Sequence, residues 1–344
     1  LLLISLLVIS AKAQQHTDHY ENGNIKETGQ HKNENKIKEW KYYYENGQLQ
    51  SVGKYKNGKF HGEWKHYYET GELFAVYNHK DSLADGWSTN YHINGQIHII
   101  SKFKKSKSTG EWKQYFENGQ LATIGQNING LETGEWRLYY EDRTLMELGY
   151  YENGIAEGNL KNYHTNGKLS MTGNYDNGYQ TGEWTEYYEN GELKNKGNFK
   201  KGLESGDWEF YHQEGQLHYK GKYEEGKEMG QWHFYYFEGP LDYTCYYDAG
   251  ITTGEWFKYW ENGKLFQEGQ YDNNVQVGEW KTYSEDGLLV ELGNYLEGKK
   301  SGEWKEFHYL FEGKIKAVGF YKDDVKVGDW KEYDSSGNLS ISKY

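Results

Sequence analysis

Residues Gly53 to Leu73 read GKYKNGKFHGEWKHYYETGEL, and variants of this stretch recur along almost the whole chain. The Gly-Glu-Trp group within it returns about every 24 residues. The copies are marked by Trp40, Trp64, Trp87, Trp112, Trp136, Trp184, Trp208, Trp232, Trp256, Trp280, Trp304 and Trp330. Leu160 occupies the place of one further tryptophan. A fixed period sustained along a chain indicates a repeat architecture in which each unit stacks on its neighbours.

The composition indicates an aromatic core. The 344 residues carry a net charge of -13 and include 43 glycines and one proline. The small share of Leu, Ile, Val and Phe would by itself be typical of a disordered chain. The 35 tyrosines and 13 tryptophans supply the missing apolar surface, because aromatic side chains combine a large apolar area with a polar tip.

The net charge and the amino-terminal sequence limit the possible functions. The acidic balance argues against nucleic acid and anionic membrane surfaces as partners, since both are bound through Lys and Arg clusters. Residues 1–13 form an apolar run that ends in Ala11-Lys12-Ala13, which predicts a secretory signal peptide that lacks its first residues. The alternative is a buried first strand. We expect one repeat domain over residues 14–344, no membrane span, and a secreted or periplasmic protein.

Each repeat predicts a β-hairpin. The Asn46-Gly47 pair lies between two aromatic-rich runs, which is a strong signal for a two-residue turn. With this turn Tyr44 would face Leu49, and Trp40 would face Gly53. The second connection, between Lys56 and Glu63, fits either a tight turn or a longer loop. We therefore predict an all-β, elongated meander of antiparallel hairpins with about 13 to 14 units of 24 residues.

A column of glycines should lie opposite the tryptophans. The same counting places Trp208 across from Gly221, and an indole over a strand glycine would shield the exposed backbone. The glycine column comprises Gly29, Gly53, Gly125, Gly149, Gly173, Gly197, Gly221, Gly269, Gly293 and Gly319. Its exceptions include Tyr77, Ser101 and Cys245. Trp87 comes one residue early and would flip to the other face unless a bulge near Thr89-Asn90 absorbs the slip.

The repeat resembles a known family. Tyr55-x-x-Gly58-x-x-x-Gly62-x-Trp64, followed by Gly71, is similar to the MORN repeat. The form Gly-Glu-Trp-x-x-Tyr-Tyr-Glu-Asn-Gly is similar to the MORN variant of bacterial proteins labelled YwqK-family antitoxins. The resemblance covers nearly all of residues 16–344 and implies an elongated β-meander that binds other molecules without transforming them.

The sequence contains no catalytic constellation, so we expect no enzyme, cofactor or metal. His16, Asp18 and His19 are interpreted as a solvated terminus and not as a metal site. Cys245 has no second cysteine for a disulfide, and its place in the glycine column favours a structural thiol over a nucleophile.

Two rows of side chains are candidate binding surfaces. Glutamates that precede the first turn should line one edge: Glu45, Glu69, Glu117, Glu141, Glu189 and Glu261. This row either recruits a basic partner or loosely binds cations. Alternatively, Glu-Asn-Gly is simply a favourable sequence for a solvent-exposed turn. The aromatic rows form either the core of the repeat or an open surface for sugars or a peptide.

These observations lead to two functional hypotheses. The first is a non-catalytic protein-binding scaffold, of the antitoxin or immunity kind that the resemblance implies. The alternative is a cell-wall or glycan-binding module, because the tryptophan and tyrosine spacing is similar to choline- and glucan-binding repeats.

Overall fold

The computed structural model describes residues 12–309 and 313–344. Except for Lys12 and Ala13, the predicted signal peptide lies outside the described residues. The chain divides into two compact units, residues 1–167 and residues 168–344. Within the described ranges, no helix is long and apolar enough to cross a bilayer.

The described part of the first unit is an antiparallel meander in which, as far as β12, each strand pairs with the next one along the chain. Its strands are β1 (Gln14–His19), β2 (Ile25–Lys32), β3 (Asn35–Tyr43), β4 (Leu49–Lys56), β5 (Lys59–Tyr67), β6 (Leu73–Lys80), β7 (Leu83–Tyr91), β8 (Ile97–Lys104), β9 (Lys107–Tyr115), β10 (Leu121–Ile128), β11 (Leu131–Tyr139), β12 (Leu145–Glu152), β13 (Ile155–Ala156) and β14 (Gly158–Tyr163). Strands β13 and β14 both pair with β12, so they act as one strand with an interruption at Glu157.

The described part of the second unit continues the same pattern. Its strands are β15 (Leu169–Asp176), β16 (Tyr179–Tyr187), β17 (Leu193–Lys200), β18 (Leu203–Tyr211), β19 (Leu217–Glu224), β20 (Lys227–Tyr235), β21 (Leu241–Asp248), β22 (Ile251–Tyr259), β23 (Leu265–Asp272), β24 (Val275–Tyr283), β25 (Leu289–Leu296), β26 (Lys299–Phe307), β27 (Ile315–Lys322), β28 (Val325–Tyr333) and β29 (Leu339–Lys343). The predicted all-β repeat of antiparallel hairpins is confirmed.

The first turn of the repeat that begins at β3 is longer than predicted. Strand β3 ends at Tyr43, which pairs with Leu49, so the prediction that Tyr44 faces Leu49 is wrong. The N–H of Gly47 donates to the carbonyl of Tyr44 at 2.9 Å. Within the Asn46-Gly47 pair only the glycine has a positive φ, of 85°. A two-residue type I′ turn requires positive φ at both residues, so the chain forms a wider turn here.

A bulge restores the predicted register beyond this turn. The pairing shifts between Tyr42 and Tyr43, and one residue on β4 is thereby left over. Trp40 consequently pairs with Gly53, and Trp208 pairs with Gly221 in the second unit. These two pairings are confirmed although the turn that was used to derive them differs.

The second turn of each repeat is tight. Strand β4 ends at Lys56 and β5 begins at Lys59, with Asn57 and Gly58 between them. Both of these have positive φ, 52° and 75°, which is the requirement of a type I′ turn. The N–H of Gly58 donates to the carbonyl of Lys36 at 3.0 Å, so the turn is tied to the preceding repeat.

The Gly-Glu-Trp group forms a bulge inside a strand. Gly62 and Glu63 on β5 have no partner on β4, where the register shifts beside Gly53. Gly62 has a φ of 74° and the equivalent Gly206 a φ of 73°, a left-handed conformation that favours glycine. The bulge directs the ring of the following tryptophan back over the preceding strand.

Where an indole covers a strand glycine, it therefore belongs to the next strand. A Cβ atom on Gly53 would overlap the ring of Trp64, and one on Gly221 would overlap the ring of Trp232. This corrects the expectation that the facing Trp40 shields Gly53. The backbone register is as predicted, but the bulge transfers the ring contact to the following repeat.

The exceptions in the glycine column change the position of the next tryptophan. Where Ser101 and Cys245 replace glycine, Trp112 and Trp256 are only half-buried. Each of these rings instead approaches the tryptophan of the following repeat, with centroids 5.6 and 5.4 Å apart. A side chain in the glycine column thus prevents the indole from lying flat on the strand.

Trp87 lies on the opposite face. Its side chain is 50% exposed, and Ser88 takes the inner place at 3% exposure. No register shift occurs between Trp87 and Asn90; the shift after Asn90 is the one found at the first turn of other repeats. Of the two alternatives, the flip of Trp87 to the other face is therefore confirmed, and no bulge near Thr89-Asn90 absorbs the slip. Tyr77 faces Ser88, so a large residue in the glycine column accompanies a small one in the tryptophan place.

Candidate functional site

The tryptophans form the core of the repeats. The buried members are Trp40, Trp64, Trp136, Trp184, Trp208, Trp232, Trp280, Trp304 and Trp330. Tyr55 meets Trp64 edge to face at 5.2 Å and 87°, and Tyr223 meets Trp232 at 5.1 Å and 90°. This geometry is favoured for aromatic pairs. The buried indoles are thus unavailable as an open binding row, in contrast to the half-buried Trp112 and Trp256.

The acidic row lies on exposed turns. All six side chains are exposed: Glu45, Glu69, Glu117, Glu141, Glu189 and Glu261. The side-chain amide of Asn22 donates to the carbonyl of Glu45 at 3.0 Å, and that of Asn46 donates to the carbonyl of Glu69 at 3.0 Å. These bonds link successive turns through backbone groups, so the asparagine side chain stabilises the turn, and the glutamate side chains remain exposed.

Cys245 is a buried thiol. It pairs with Trp232 in the register of β20 and β21, and its side chain is 3% exposed. Burial raises the pKa of the Cys245 thiol to about 11. Since the thiolate is the nucleophilic form, this environment suits a structural thiol.

The amino-terminal histidines lie on β1, which pairs with β2. His16 Nε2 lies 3.2 Å from Glu27 Oε1, and Asp18 lies 3.9 Å from Lys26. Among the described residues, no group of three His, Cys, Asp or Glu side chains could hold a metal ion.

One column varies between repeats while the framework stays the same. It lies two residues after the place of the tryptophan, which is taken by Ser88 and Leu160 in two of the repeats, and on the same side of the strand. Its residues are Tyr42, His66, Asn90, Gln114, Leu138, Asn162, Glu186, Phe210, Phe234, Lys258, Thr282, Glu306 and Glu332. We call these residues, with those that face them across the sheet, the variable column. They give each part of this face its own chemistry.

Four rings of the variable column stack in the second unit. We call Phe210, Tyr219, Phe234 and Tyr243, on strands β18 to β21, the aromatic ladder. Successive centroids are 4.3, 5.5 and 4.2 Å apart, with interplanar angles of 19°, 25° and 8°. All four side chains are half-buried, so part of each ring faces solvent. Burial raises the pKa of Tyr243 to about 12.

A second aromatic surface lies in the first unit. A depression on β3 to β6 is lined by rings that include Tyr42, Tyr55, Trp64, His66 and Tyr77. The hydroxyls of Tyr42 and Tyr55 share a hydrogen bond of 2.7 Å. Burial raises the pKa of Tyr55 and lowers that of His66, so both groups are neutral at neutral pH. The depression is thus apolar with a few polar groups, the usual character of a ligand site.

In the described part of the chain, three lysines lie closely over the tryptophan four residues after them. The ammonium of Lys36 lies 3.9 Å from the centroid of the Trp40 ring and donates to Glu27 at 2.8 Å. Lys300 and Lys326 stand at the same spacing from a tryptophan, also at 3.9 Å. These contacts are cation–π interactions, which strengthen when the cation is partly desolvated.

Sequence reasoning identified the framework but missed the variable column and the lysine contacts. The signal for both was present, since aligning the repeats on tryptophan shows which columns differ. The pairing of Trp40 with Gly53 across the first turn was predicted correctly, but the contacts between one repeat and the next depend on the second turn, which the sequence left open as a tight turn or a longer loop.

Comparison with solved structures gives distant similarities. The crystal structure of TcdB2-TccC3 is 15% identical at a TM-score of 0.18, over 96% of this chain and 18% of that chain. The Tc holotoxin pore of Photorhabdus luminescens with a mutated TccC3 is 11% identical at a TM-score of 0.16, over 97% of this chain and 23% of that chain. The chain thus spans about a fifth of the length of these solved chains. No curated protein matches the chain.

The family comparison agrees with the geometry of the repeat. The MORN repeat variant matches residues 36–57, 60–81, 108–126, 156–177, 180–201, 204–225, 252–273 and 276–297, together just over half of the chain. The first of these segments contains the bulge before Trp40, the first turn, Gly53 and the start of the second turn. The chain therefore belongs to the MORN repeat variant family.

Proposed function

We propose that this MORN repeat variant chain is a non-catalytic scaffold that binds a partner protein. The observation that carries the proposal is the contrast between a constant framework and the variable column. In a repeat protein the framework residues hold successive units together, and the stacked units present an extended surface for binding. Residues that change from repeat to repeat on that surface supply specificity.

The aromatic ladder is the proposed centre of the binding surface. Interface cores are enriched in Tyr, Trp and Phe, and a few such residues provide most of the binding energy. The ladder places four half-buried rings side by side on consecutive strands. The rings are already ordered by stacking on one another, so binding would cost little side-chain entropy.

The cellular setting and biological role are part of the proposal. The apolar run of residues 1–13 supports export, and hence a secreted or periplasmic scaffold. The resemblance to YwqK-family antitoxins supports an antitoxin or immunity role, in which the scaffold would neutralise a partner by covering it. The exposed glutamate row would favour a basic partner through electrostatic complementarity.

A retention experiment tests the scaffold. Residues 14–344 are immobilised and exposed, in parallel, to an envelope extract and to purified cell-wall material from the host. The double variant Tyr219→Thr and Phe234→Asn removes two rings of the ladder. The new residues already occur at the equivalent positions of other repeats, as Thr123 and Asn90. We expect one protein to be retained by the native chain and lost with this variant.

A matched control separates the ladder from the framework. Gln267 and Thr282 pair across β23 and β24 as Tyr219 and Phe234 pair across β19 and β20. The control variant Gln267→Thr and Thr282→Asn should leave retention unchanged. Equal retention by the native chain and the ladder variant would show that the ladder is not the binding surface.

A glycan module is the second candidate, and the aromatic depression on β3 to β6 favours it. Aromatic walls with a few hydroxyl groups suit a sugar ring, which has apolar faces and a polar rim. Retention of wall glycan without a protein would support this alternative. The variant Tyr42→Gln and His66→Asn should then abolish retention, while the ladder variant should not.

A further inference from the structure

The chain contains its own examples of how this fold holds an ammonium group. Lys36 lies four residues before Trp40 in the sequence. Its Nζ atom is 3.9 Å from the centroid of the Trp40 ring and 2.8 Å from Glu27 Oε2. Lys300 repeats the arrangement over Trp304, with a carboxylate oxygen at 2.7 Å. An indole face and a carboxylate together therefore form an ammonium site that the repeat builds more than once.

The equivalent place before Trp208 carries a carboxylate and no lysine. Glu204 stands four residues before Trp208, as Lys36 stands before its tryptophan. A depression on strands β15 to β19 is lined by Trp184, Trp208, Tyr223 and Glu204, among other residues. The site has aromatic walls like those of the internal examples, but its carboxylate stands in the place of the lysine itself, and Asn195 occupies the place of Glu27. An ammonium group supplied from outside the chain would complete the same set of groups.

The carboxylates of this depression are not equivalent. Glu186 also lines it, but accepts a hydrogen bond from Asn195 at 3.0 Å and pairs with Lys194 at 3.1 Å. Glu204 is half-buried, and in the described part of the chain no Lys, Arg or His lies within ion-pair distance of its side chain. A half-buried carboxylate without a counter-charge attracts a cation more strongly than an exposed one.

We propose that this depression binds a lysine side chain of the partner polypeptide, with the ammonium between Glu204 and the half-buried ring of Tyr223. The inference rests on the proposed protein-binding function and names the chemistry of the residue that the partner inserts. Lysine fits because its alkyl stem packs against apolar surface while its charged end meets a carboxylate. The net charge of -13 favours a basic segment over an acidic one.

Defined peptides test the inference without the natural partner. The probes are a blocked Gly-Lys-Gly tripeptide and the same peptide with norleucine, which keeps the alkyl chain and lacks the ammonium. Binding to the full chain is measured by ligand-detected NMR. We expect the lysine peptide to bind about tenfold more tightly than the norleucine peptide, as a partly desolvated cation–π contact with a carboxylate allows.

Variants of Glu204 locate the site. Glu204→Lys should weaken lysine-peptide binding about tenfold, because the chain's own ammonium would then occupy the place as Lys36 does. Glu204→Gln should also weaken it, and Gln180 and Gln276 show that glutamine is tolerated in this place. The control Glu297→Lys makes the same charge change in an exposed turn where the equivalent residue is Lys201, and should have little effect.

Equal binding of the two peptides would overturn the inference, as would an equal loss with Glu297→Lys. The result is independent of the retention experiment. If the immobilised chain retains a protein but does not discriminate between the peptides, the scaffold function stands and the lysine site is wrong. If the peptides are discriminated through Glu204 and no protein is retained, the site is correct and the scaffold function is wrong.

Discussion

Glycine in the glycine column is required by a close approach between backbone and ring. A Cβ atom at most of these places would overlap the indole of the next repeat. The two half-buried indoles, Trp112 and Trp256, follow the places where Ser101 and Cys245 introduce that atom. The packing of each tryptophan is therefore decided by the residue eleven positions before it.

Gly221→Ala should destabilise the protein by about 1 to 3 kcal/mol, because the added methyl group overpacks the contact with Trp232. Gly149→Ala is the matched control, since the nearest atom to its Cβ would be a methyl carbon of Leu160 at 3.5 Å. The loss of stability is measured as the shift in the midpoint of urea unfolding. Amide hydrogen exchange in β19 and β20 shows whether the loss is local to this contact. Similar losses in both variants would contradict the steric explanation.

Cys245 should react slowly in the folded protein. Burial raises the pKa of its thiol to about 11, so little thiolate is present near neutral pH. We expect labelling with a maleimide at about pH 8 to be at least tenfold slower in buffer than in urea. Rapid, complete labelling of the native chain would show that the thiol is accessible and ionised.

At the scale of the element, two kinds of turn and one bulge give each hairpin its geometry. The Asn57-Gly58 turn is the tight one, whereas the turn around Gly47 is wide and followed by a bulge. The Asn-Gly pair occurs in both, so the dipeptide alone does not select the turn type. The wide turn is held by a hydrogen bond from the Asn46 side chain to the next repeat, which no local pattern reveals.

Replacing a bulge glycine should cost stability through the backbone. Gly206 has a φ of 73° with open space around its Cβ position, so Gly206→Ala should destabilise by about 1 to 2 kcal/mol through left-handed strain alone. Gly206→Asn should cost less, because asparagine tolerates this conformation. The urea midpoints of the two variants provide the comparison. An equal loss would mean that the bulge depends on something other than φ.

At the scale of the whole molecule, the protein is a sum of similar units with local differences in ionisable groups. Each hairpin is stable only through its neighbours, so the tryptophan contacts between repeats set the stability of the stack. In the first unit, His66 and His79 replace residues that are uncharged in most other repeats. This part of the sheet is consequently sensitive to acid.

Stability should fall as the pH is lowered below about 6.5. Burial lowers the pKa of His66 and of His79, and each unfolded histidine binds its proton at a higher pH than the folded one. The stabilising contribution is thus complete above the ordinary histidine pKa and is lost as the pH falls through the folded values. The urea midpoint at about pH 7.5 and about pH 5 measures the change.

A double variant identifies the histidines responsible. In this variant, His66→Gln and His79→Asn introduce residues that already occur at the equivalent positions of other repeats, as Gln114 and Asn127. Their removal should reduce the loss of stability at low pH. An unchanged acid response in this variant would assign the effect to other groups.

The sequence by itself determined the repeat, the strands and the pairing of Trp40 with Gly53. The physical reason is that hydrophobic alternation and a fixed period are local properties, and the bulge beside the first turn preserved the register. Only the tertiary structure decided that Trp64 covers Gly53, that Trp87 turns outward, and that Phe210, Tyr219, Phe234 and Tyr243 form one ladder. Those facts depend on left-handed bulges and on contacts between residues of different repeats, which appear only when the strands are assembled.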